Sequence, residues 1–334
     1  MKHGKRKIML ALVLILSFQG RTQDIHFSST GFNPMFFNPA MTAFMNNTFR
    51  VSTIYRNQWQ TISEGYNTFF AAFELQPWSN VDASRAVGLG LCFTSDVAGS
   101  LSFGERDIAI AGSYFFSLDR NNKTYISVGG EAMRKNWSMN LLNAEFNPEG
   151  IYNDEIKYEN LNTYDLSLGV SFQHVADDEH LLYAGVSCFH INQPSLSYFD
   201  NDDIYLHRRL FANLSYMFPF KNSETISLNP QVFYQHQHKF NEILIGGEFL
   251  LKINDMIFTR EIFSLGLYLR NADALVVSPK FRYNNFIAGM SYDVNISKLN
   301  KVSATYGAFE IWLSYAFDPY YQRQKTTKIP CPIF

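Results

Sequence analysis

From Arg50 onward, apolar and polar side chains alternate with a period of two, the repeat of a strand and not of a helix. Tyr164, Leu166, Leu168, Val170 and Phe172 take one face, and Asp165, Ser167, Gly169, Ser171 and Gln173 take the other. Leu265, Leu267 and Leu269 oppose Ser264, Gly266, Tyr268 and Arg270 in the same way. Phe309, Ile311, Leu313, Tyr315 and Phe317 oppose Glu310, Trp312, Ser314, Ala316 and Asp318. Each segment runs to about 10 residues, the length a tilted strand needs to cross a bilayer. One face then meets hydrocarbon, while the other, small and polar, meets a lumen. The pattern predicts strands over 49–59, 66–75, 86–95, 107–118, 123–136, 163–174, 180–190, 208–218, 225–235, 241–253, 263–270, 274–283, 286–294 and 308–318. Fourteen is an even number, as in a bacterial outer-membrane barrel whose two chain ends share one side of the membrane. The expected fold is therefore an all-β, antiparallel transmembrane β-barrel.

The connections support that register. With both ends in the periplasm, odd-to-even links lie outside the cell and are the longer ones. Links 137–162, 191–207 and 295–307 are all odd-to-even and the longest. Asn284-Asn285 and Ala176–Glu179 are tight even-to-odd links, while Gln76–Arg85 and Asn254–Ile262 are intermediate exceptions. A pair of secreted β-sandwiches is the competing architecture, but sandwich strands average about 5–6 residues. Aromatics also crowd the strand ends, as interfacial girdles do: Tyr55 and Trp59, Phe115 and Phe116, Phe218 and Phe220, Tyr315 to Tyr321. Aromatics are good strand formers anywhere, which weakens that argument.

The first residues read as an address. Lys2, Lys5, Arg6 and Lys7 precede an apolar run from Ile8 to Phe18, the make-up of a Sec signal peptide cleaved between Gly20 and Gln23. The run is too short for a spanning helix, which needs about 20 apolar residues. The expected divisions are a signal peptide at 1–22, a periplasmic or plug-like segment at 23–48, the barrel at 49–318 and a periplasmic tail at 319–334. Pro34 and Pro39 forbid ladder hydrogen bonds and push Asn33 and Asn38 into extended conformations. Residues 24–45 are accordingly expected to be ordered but not strand, tucked into the periplasmic mouth or partly plugging the lumen. A disordered leader would leave Phe27, Phe32, Phe36, Phe37 and Phe44 in water.

Composition narrows the function. Among 334 residues, 28 Lys and Arg face 30 Asp and Glu, a net charge of −2, which argues against a nucleic-acid surface. Aromatics reach 16% and charged residues only 17%, against roughly 25% in a soluble domain. Mean hydropathy is nonetheless slightly negative, which excludes a polytopic helical membrane protein. Cys92, Cys188 and Cys331 are an odd, widely spaced set with no disulfide framework.

Catalytic signatures are missing: the sequence has no Gly-x-Ser-x-Gly, His-Glu-x-x-His, Walker A or dinucleotide motif. His236 and His238 share a strand face but lack companion ligands, so a polar strand end is the expected reading and no metal is assigned. Asp200-Asn201-Asp202-Asp203 lacks the spacing of a calcium loop and reads as a solvated turn. The inward charges Arg50, Arg56, Glu131, Lys135, Glu248, Lys252, Arg270, Arg282 and Glu310 are mixed in sign, fit to pair across a packed lumen or to line a pore. A non-enzymatic protein without a cofactor is expected.

Several short motifs stand in order along the chain. They are Gln23-Asp24-Ile25-His26-Phe27-Ser28, then Phe37-Asn38-Pro39-Ala40-Met41-Thr42, then Tyr55-Arg56-Asn57-Gln58-Trp59. His190-Ile191-Asn192-Gln193-Pro194 follows the seventh strand, and Cys331-Pro332-Ile333-Phe334 closes the chain. Together they resemble the PorP/SprF family, outer-membrane proteins of the Bacteroidetes type IX secretion and gliding machinery. Ala43 departs from the glycine that the family usually places there, so a tight turn is expected to be altered. The resemblance implies a lipid-embedded barrel that helps export or surface-hold a large cargo through its C-terminal domain, with other type IX components as further partners. Candidate contact residues are Trp137, Phe146, Tyr152 and Tyr158 in one long loop and Asn192, Gln193 and Pro194 in the next. The alternatives are a passive channel for small or hydrophobic solutes and a soluble secreted adhesin.

Overall fold

The computed structural model describes residues 24–58, 65–80, 82–98, 103–138, 160–177, 180–197, 204–256, 259–271, 273–297 and 306–319. The strands are β1 (Phe49–Gln58), β2 (Tyr66–Ser79), β3 (Arg85–Ala98), β4 (Phe103–Ser117), β5 (Thr124–Ser138), β6 (Asn160–Asp177) and β7 (His180–Phe189). They continue with β8 (Arg209–Pro219), β9 (Ile226–Gln237), β10 (Phe240–Met256), β11 (Thr259–Arg270), β12 (Ala274–Tyr283), β13 (Phe286–Asn295) and β14 (Tyr306–Phe317). Each strand pairs antiparallel with its sequence neighbours, and β1 closes on β14 from Phe49↔Phe317 to Gln58↔Ala308. Closure leaves no sheet edge, which is what lets backbone amides enter hydrocarbon. All fourteen predicted strands are present in order, and the sandwich alternative falls.

Alternation sets which face looks outward. On β6, Tyr164, Leu166, Leu168 and Val170 are exposed, while Asp165, Ser167, Ser171 and Gln173 are buried. Aromatics gather at the end of the wall nearest the short turns: Phe49 stacks on Phe317 at 5.2 Å, Tyr114 on Phe116 at 6.0 Å and Tyr216 on Phe218 at 5.5 Å. Phe115 corrects the girdle expected from the sequence. Adjacent residues take opposite faces, so Phe116 goes out and Phe115 goes in, fully buried against Phe44.

Strand ends run past several predicted limits. β2 continues to Ser79 because Pro77 sits in a bulge between Leu75 and Trp78, where no ladder N–H is needed. The β8–β9 pairing is likewise interrupted beside Pro230, and the β12–β13 pairing beside Pro279. The two intermediate links shrink to 80–84 and 257–258. The strand ends that flank the long links 139–159, 190–208 and 296–305 all lie at one mouth of the barrel, and those that flank the even-to-odd turns at the other.

Residues 24–48 lie inside the barrel. Asp24 is at the long-link mouth, beside Arg209 at the start of β8 and Gln237 at the end of β9. Thr48 is at the opposite mouth, where its N–H and Oγ1 donate to Asp318 at 2.7 and 2.8 Å. The segment therefore runs the height of the lumen, farther than the sequence suggested. Asn33 and Asn38 are both extended, as expected from the prolines that follow them. Asn33 Oδ1 caps the short helix α1 (Pro34–Phe37) through the Met35 N–H, and Asn38 Oδ1 caps a 3₁₀ turn (Pro39–Met41) through the Ala40 N–H. Phe27, Phe32, Met35, Met41 and Phe44 are all buried, each large side chain contributing about 2 kcal/mol relative to exposure.

Candidate functional site

The seat of this segment is built from residues without bulk. One row across five strands reads Gly88, Ser113, Gly129, Gly169 and Ser187, each paired with the next. A Cβ on Gly129 would stand 2.4 Å from the Pro39 carbonyl oxygen and 2.6 Å from Ala40 Cα, so only glycine admits the segment there. Wall hydroxyls then meet its carbonyls: Ser187 Oγ donates to Phe37 O (2.7 Å), Ser127 Oγ to Ala40 O (2.7 Å) and Ser113 Oγ to Thr42 O (2.6 Å). Asn38 Nδ2 adds a bond to Val170 O at 3.0 Å.

Buried charges hold the rest. Glu74 accepts from Asn33 Nδ2 (3.0 Å) and the Ala43 N–H (2.8 Å), and two Arg50 nitrogens reach it at 2.6 Å. Glu310 accepts from the Ser28 and Ser29 N–H groups and Ser291 Oγ, all at 2.7 Å, and pairs with Arg56. Asp293 accepts from Ser28 Oγ (2.7 Å) and Arg270 Nη1 (2.9 Å). Lys135 pairs with Asp107 at 2.9 Å and with Glu105, and Lys280 with Glu248 at 2.9 Å. Of the inward charges named from the sequence, Arg50, Arg56, Lys135, Glu248, Arg270 and Glu310 thus pair with opposite charges on the inner wall of a packed lumen.

At the long-link mouth, His190 Nδ1 meets Asp165 Oδ2 at 2.6 Å and its Nε2 meets Asp24. Arg209 Nε also reaches Asp24, at 3.3 Å, while its guanidinium lies over the Phe189 ring at 4.2 Å. Burial alone would lower the His190 imidazole, but Asp24 and Asp165 outweigh it and hold it above its ordinary value. Burial would likewise raise the Asp24 carboxyl, yet His190 and Arg209 hold it far below the usual carboxylate range. The contact places one imidazole between the Asp24 and Asp165 carboxyl groups.

Of the residues singled out in the sequence, Asn38, Pro39 and Ala40 lie in the seat and Arg56 in the Glu310 cluster. Gln58 Oε1 accepts from Arg56 at 3.3 Å, while Tyr55 points outward and shares Asn67 with Asn57. Trp137 belongs to β5, not to a loop, and is buried with Leu161, Leu196 and Leu206. Asn192 binds β6, accepting from the Leu166 N–H and donating to Tyr164 O. Gln193 donates its N–H to His190 O, and Pro194 O accepts from Leu206 N–H. Trp59, Phe146, Tyr152, Tyr158, Cys331, Pro332 and Phe334 lie outside the described residues, as do 1–22, 200–203 and 320–334. His236 bonds Asn241, and His238 stacks on His207. No metal-holding group of His, Cys, Asp or Glu is found among the described residues. Sequence reasoning missed Asp24, Glu74, Asp165 and His190 as site residues, although Asp24 and His190 stand in the quoted motifs.

Ala43 has φ 53°, a left-handed backbone that costs a non-glycine residue about 1 kcal/mol. The tight turn is kept, strained, despite the alanine. Ala43→Gly is expected to raise unfolding stability by about that amount in a denaturant titration in detergent; a loss of stability would refute the account.

The model of the type IX secretion system membrane protein PorP/SprF matches residues 19–315. The chain belongs to the PorP/SprF family. No curated protein matches the sequence. Among solved structures, the Ralstonia pickettii toluene transporter TbuX is similar, with TM-score 0.47 and 11% identity over 85% of this chain and 93% of that one. A deletion mutant of the monoaromatic hydrocarbon channel TodX gives 0.48 and 10%, over 87% and 93%. CdiB from Acinetobacter baumannii gives 0.46 and 10%, over 81% and 60%. These likenesses lie in the path of the chain, not in its residues. This PorP/SprF member is an outer-membrane barrel of the type IX secretion family, with its lumen filled by its own N-terminal segment.

Proposed function

We propose that this barrel is a non-enzymatic component of the type IX secretion and gliding system of a Bacteroidetes cell, assisting export or surface attachment of a large cargo through the cargo's C-terminal domain. The observation that carries the reading, with the family, is the filled lumen. Two cavities beside the segment, lined by described residues, hold about 50 and 20 Å³, room for a few waters. Such an interior opposes a passive solute pathway and turns attention to the two mouths. By the loop-length rule the long-link mouth faces outward. Phe146, Tyr152 and Tyr158 are our candidate cargo contacts there, since Trp137, Asn192, Gln193 and Pro194 are engaged within the chain. Residues 1–22 act as the export signal, and the short-turn mouth and the tail after β14 face other type IX components.

Deleting the gene and comparing surface proteomes tests this. The expected result is loss of at least one cargo bearing a type IX C-terminal domain from the surface or medium. An unchanged set of type IX cargo would overturn the proposal.

A further inference from the structure

The lipid-facing wall is dented where two strands both lack a side chain. Gly112 on β4 and Gly130 on β5 are paired, and they share the outward face with the exposed Ile110 and Val128. Leu89 on β3 and Leu168 on β6 flank them in the same row. The next row toward the long-link mouth is Leu91, Ile110, Ala132 and Leu166. The leucines and Ile110 stand out from the wall while the glycine pair leaves its backbone bare. A groove of about 760 Å³ opens between them, apolar on its outward sides.

Farther toward the long-link mouth the same face turns cationic. Arg134 lies beside Tyr164 in register, and Arg106 lies opposite Asn136. Both arginines are exposed, and neither has a carboxylate partner among the described residues. The nearby carboxylates Glu105, Asp107, Glu131 and Asp165 all line the lumen instead. Asn162 Oδ1 accepts from Arg134 Nη2 at 2.9 Å and from Asn136 Nδ2 at 3.1 Å, which holds that guanidinium along the wall. Arg106 stands ten residues along β4 from Phe116 of the short-turn girdle, the span of a tilted strand across a bilayer. The two cations therefore sit at the outer interface, where an outward arginine is least costly and lipid phosphate is within reach. Gly130 is four residues from Arg134, about 13 Å deeper along the strand.

We propose that this face binds one phosphorylated, multiply acylated lipid of the outer leaflet, of the lipid A class, with an acyl chain in the Gly112–Gly130 groove and a phosphate on Arg106 and Arg134. The order of the parts selects this occupant. An apolar groove within the hydrocarbon depth lies below two unpaired guanidinium groups at the interface, as acyl chains lie below a phosphorylated headgroup. Guanidinium forks match phosphate oxygens in geometry and charge. An uncharged lipid would leave both arginines without a counter-charge. The assignment rests on the outward orientation of the long-link mouth and not on any cargo.

Titrating the purified barrel in detergent with bisphosphorylated lipid A, read by native mass spectrometry, tests this. Wild type is expected to retain one lipid A per barrel. Arg106→Gln combined with Arg134→Gln should weaken retention about tenfold or more, the factor that losing charge-assisted hydrogen bonds brings. Gly112→Leu combined with Gly130→Leu fills the groove and leaves the arginines in place, and it should weaken retention as well. A Cβ at these two glycines meets no backbone atom nearer than 3.5 Å, so the wall should persist, which heat-modifiable gel mobility verifies. Dephosphorylated lipid A should bind wild type no more tightly than bisphosphorylated lipid A binds the arginine variant. Equal retention by all three proteins would mean annular lipid only and would overturn the proposal. Displacement by inorganic phosphate alone would assign the arginines to a free anion, and preference for phosphatidylglycerol over lipid A would put this rim in the inner leaflet. A wild-type dimer that the leucine variant splits, with lipid retention unchanged, would give the groove to a second copy of the chain. Each of these three results would equally refute the lipid A assignment.

Discussion

Gly129→Val is expected to drive the N-terminal segment out of the lumen while leaving the barrel closed. The wall and the segment touch there backbone to side: a Cβ would sit 2.4 Å from Pro39 O, 2.6 Å from Ala40 Cα and 2.7 Å from the Pro39 carbonyl carbon. No rotamer relieves a clash with backbone atoms, and valine adds two methyls to it. Overpacking typically costs about 1–3 kcal/mol when neighbours can shift. Here the neighbours are a capped turn pinned by Ser127 and Asn38, so the cost falls on the whole docked segment. The ladder bonds of β5 lie in the wall and are untouched, so heat-modifiable mobility should persist. Protease should then cut within 24–48, and planar-bilayer recordings should change from no steady conductance to open-pore events. Gly112→Val is the matched control, because a Cβ there meets nothing nearer than 3.9 Å. A protected segment with unchanged conductance in Gly129→Val would refute the seat, and steady conductance in the wild-type barrel would favour the passive-channel reading instead.

The barrel was legible because lipid imposes its demand on every second residue. Tyr164, Leu166, Leu168 and Val170 need no distant information to be read as outward. The ends were less legible for the same reason. At Arg134, Lys135 and Asn136, and at Asn160 and Asn162, both faces turn polar, and the alternation that marks a strand fades while the hydrogen-bonded ladder goes on. Pro77 misled in another way, since a bulge hides a proline that a regular ladder would reject. Phe115 and Phe116 show that an aromatic pair at a strand end supplies one girdle residue, not two.

The seat was legible only in fragments. Asn33 and Asn38 announced their extended backbone through the prolines after them. Where their turns would dock was not readable, because the seat is a row assembled from five strands, each contributing one small residue of no local distinction. The Asp24–His190 contact spans a sequence separation of 166 and joins two motifs that look unrelated on the page. Motif recognition found Asn192, Gln193 and Pro194, but their chemistry is spent on the turn that presents His190. Motifs of this kind mark positions of constraint. Only packing tells whether the constraint serves a partner or the fold.

Glu310 carries the second large expectation, because it serves the plug and the barrel seam at once. It faces Arg56 directly in the β1–β14 register, the pairing that closes the cylinder. Its two oxygens also take the Ser28 and Ser29 N–H groups and Ser291 Oγ. Glu310→Ala would strip all of these acceptors together, leaving Asp293 alone between Arg56 and Arg270. Removing one partner of a buried pair costs about 3–5 kcal/mol, since the remaining charge has nowhere to be solvated. Urea titration of heat-modifiable mobility should show a loss of that size, and protease should reach residues 24–29 before the wall opens. Glu310→Gln keeps an acceptor and the shape but loses the charge, so its loss should be roughly half as large. Were Glu310→Ala to unfold within about 1 kcal/mol of wild type, the cluster would be ornamental, and the plug would owe its place to the glycine–serine seat and the phenylalanines alone.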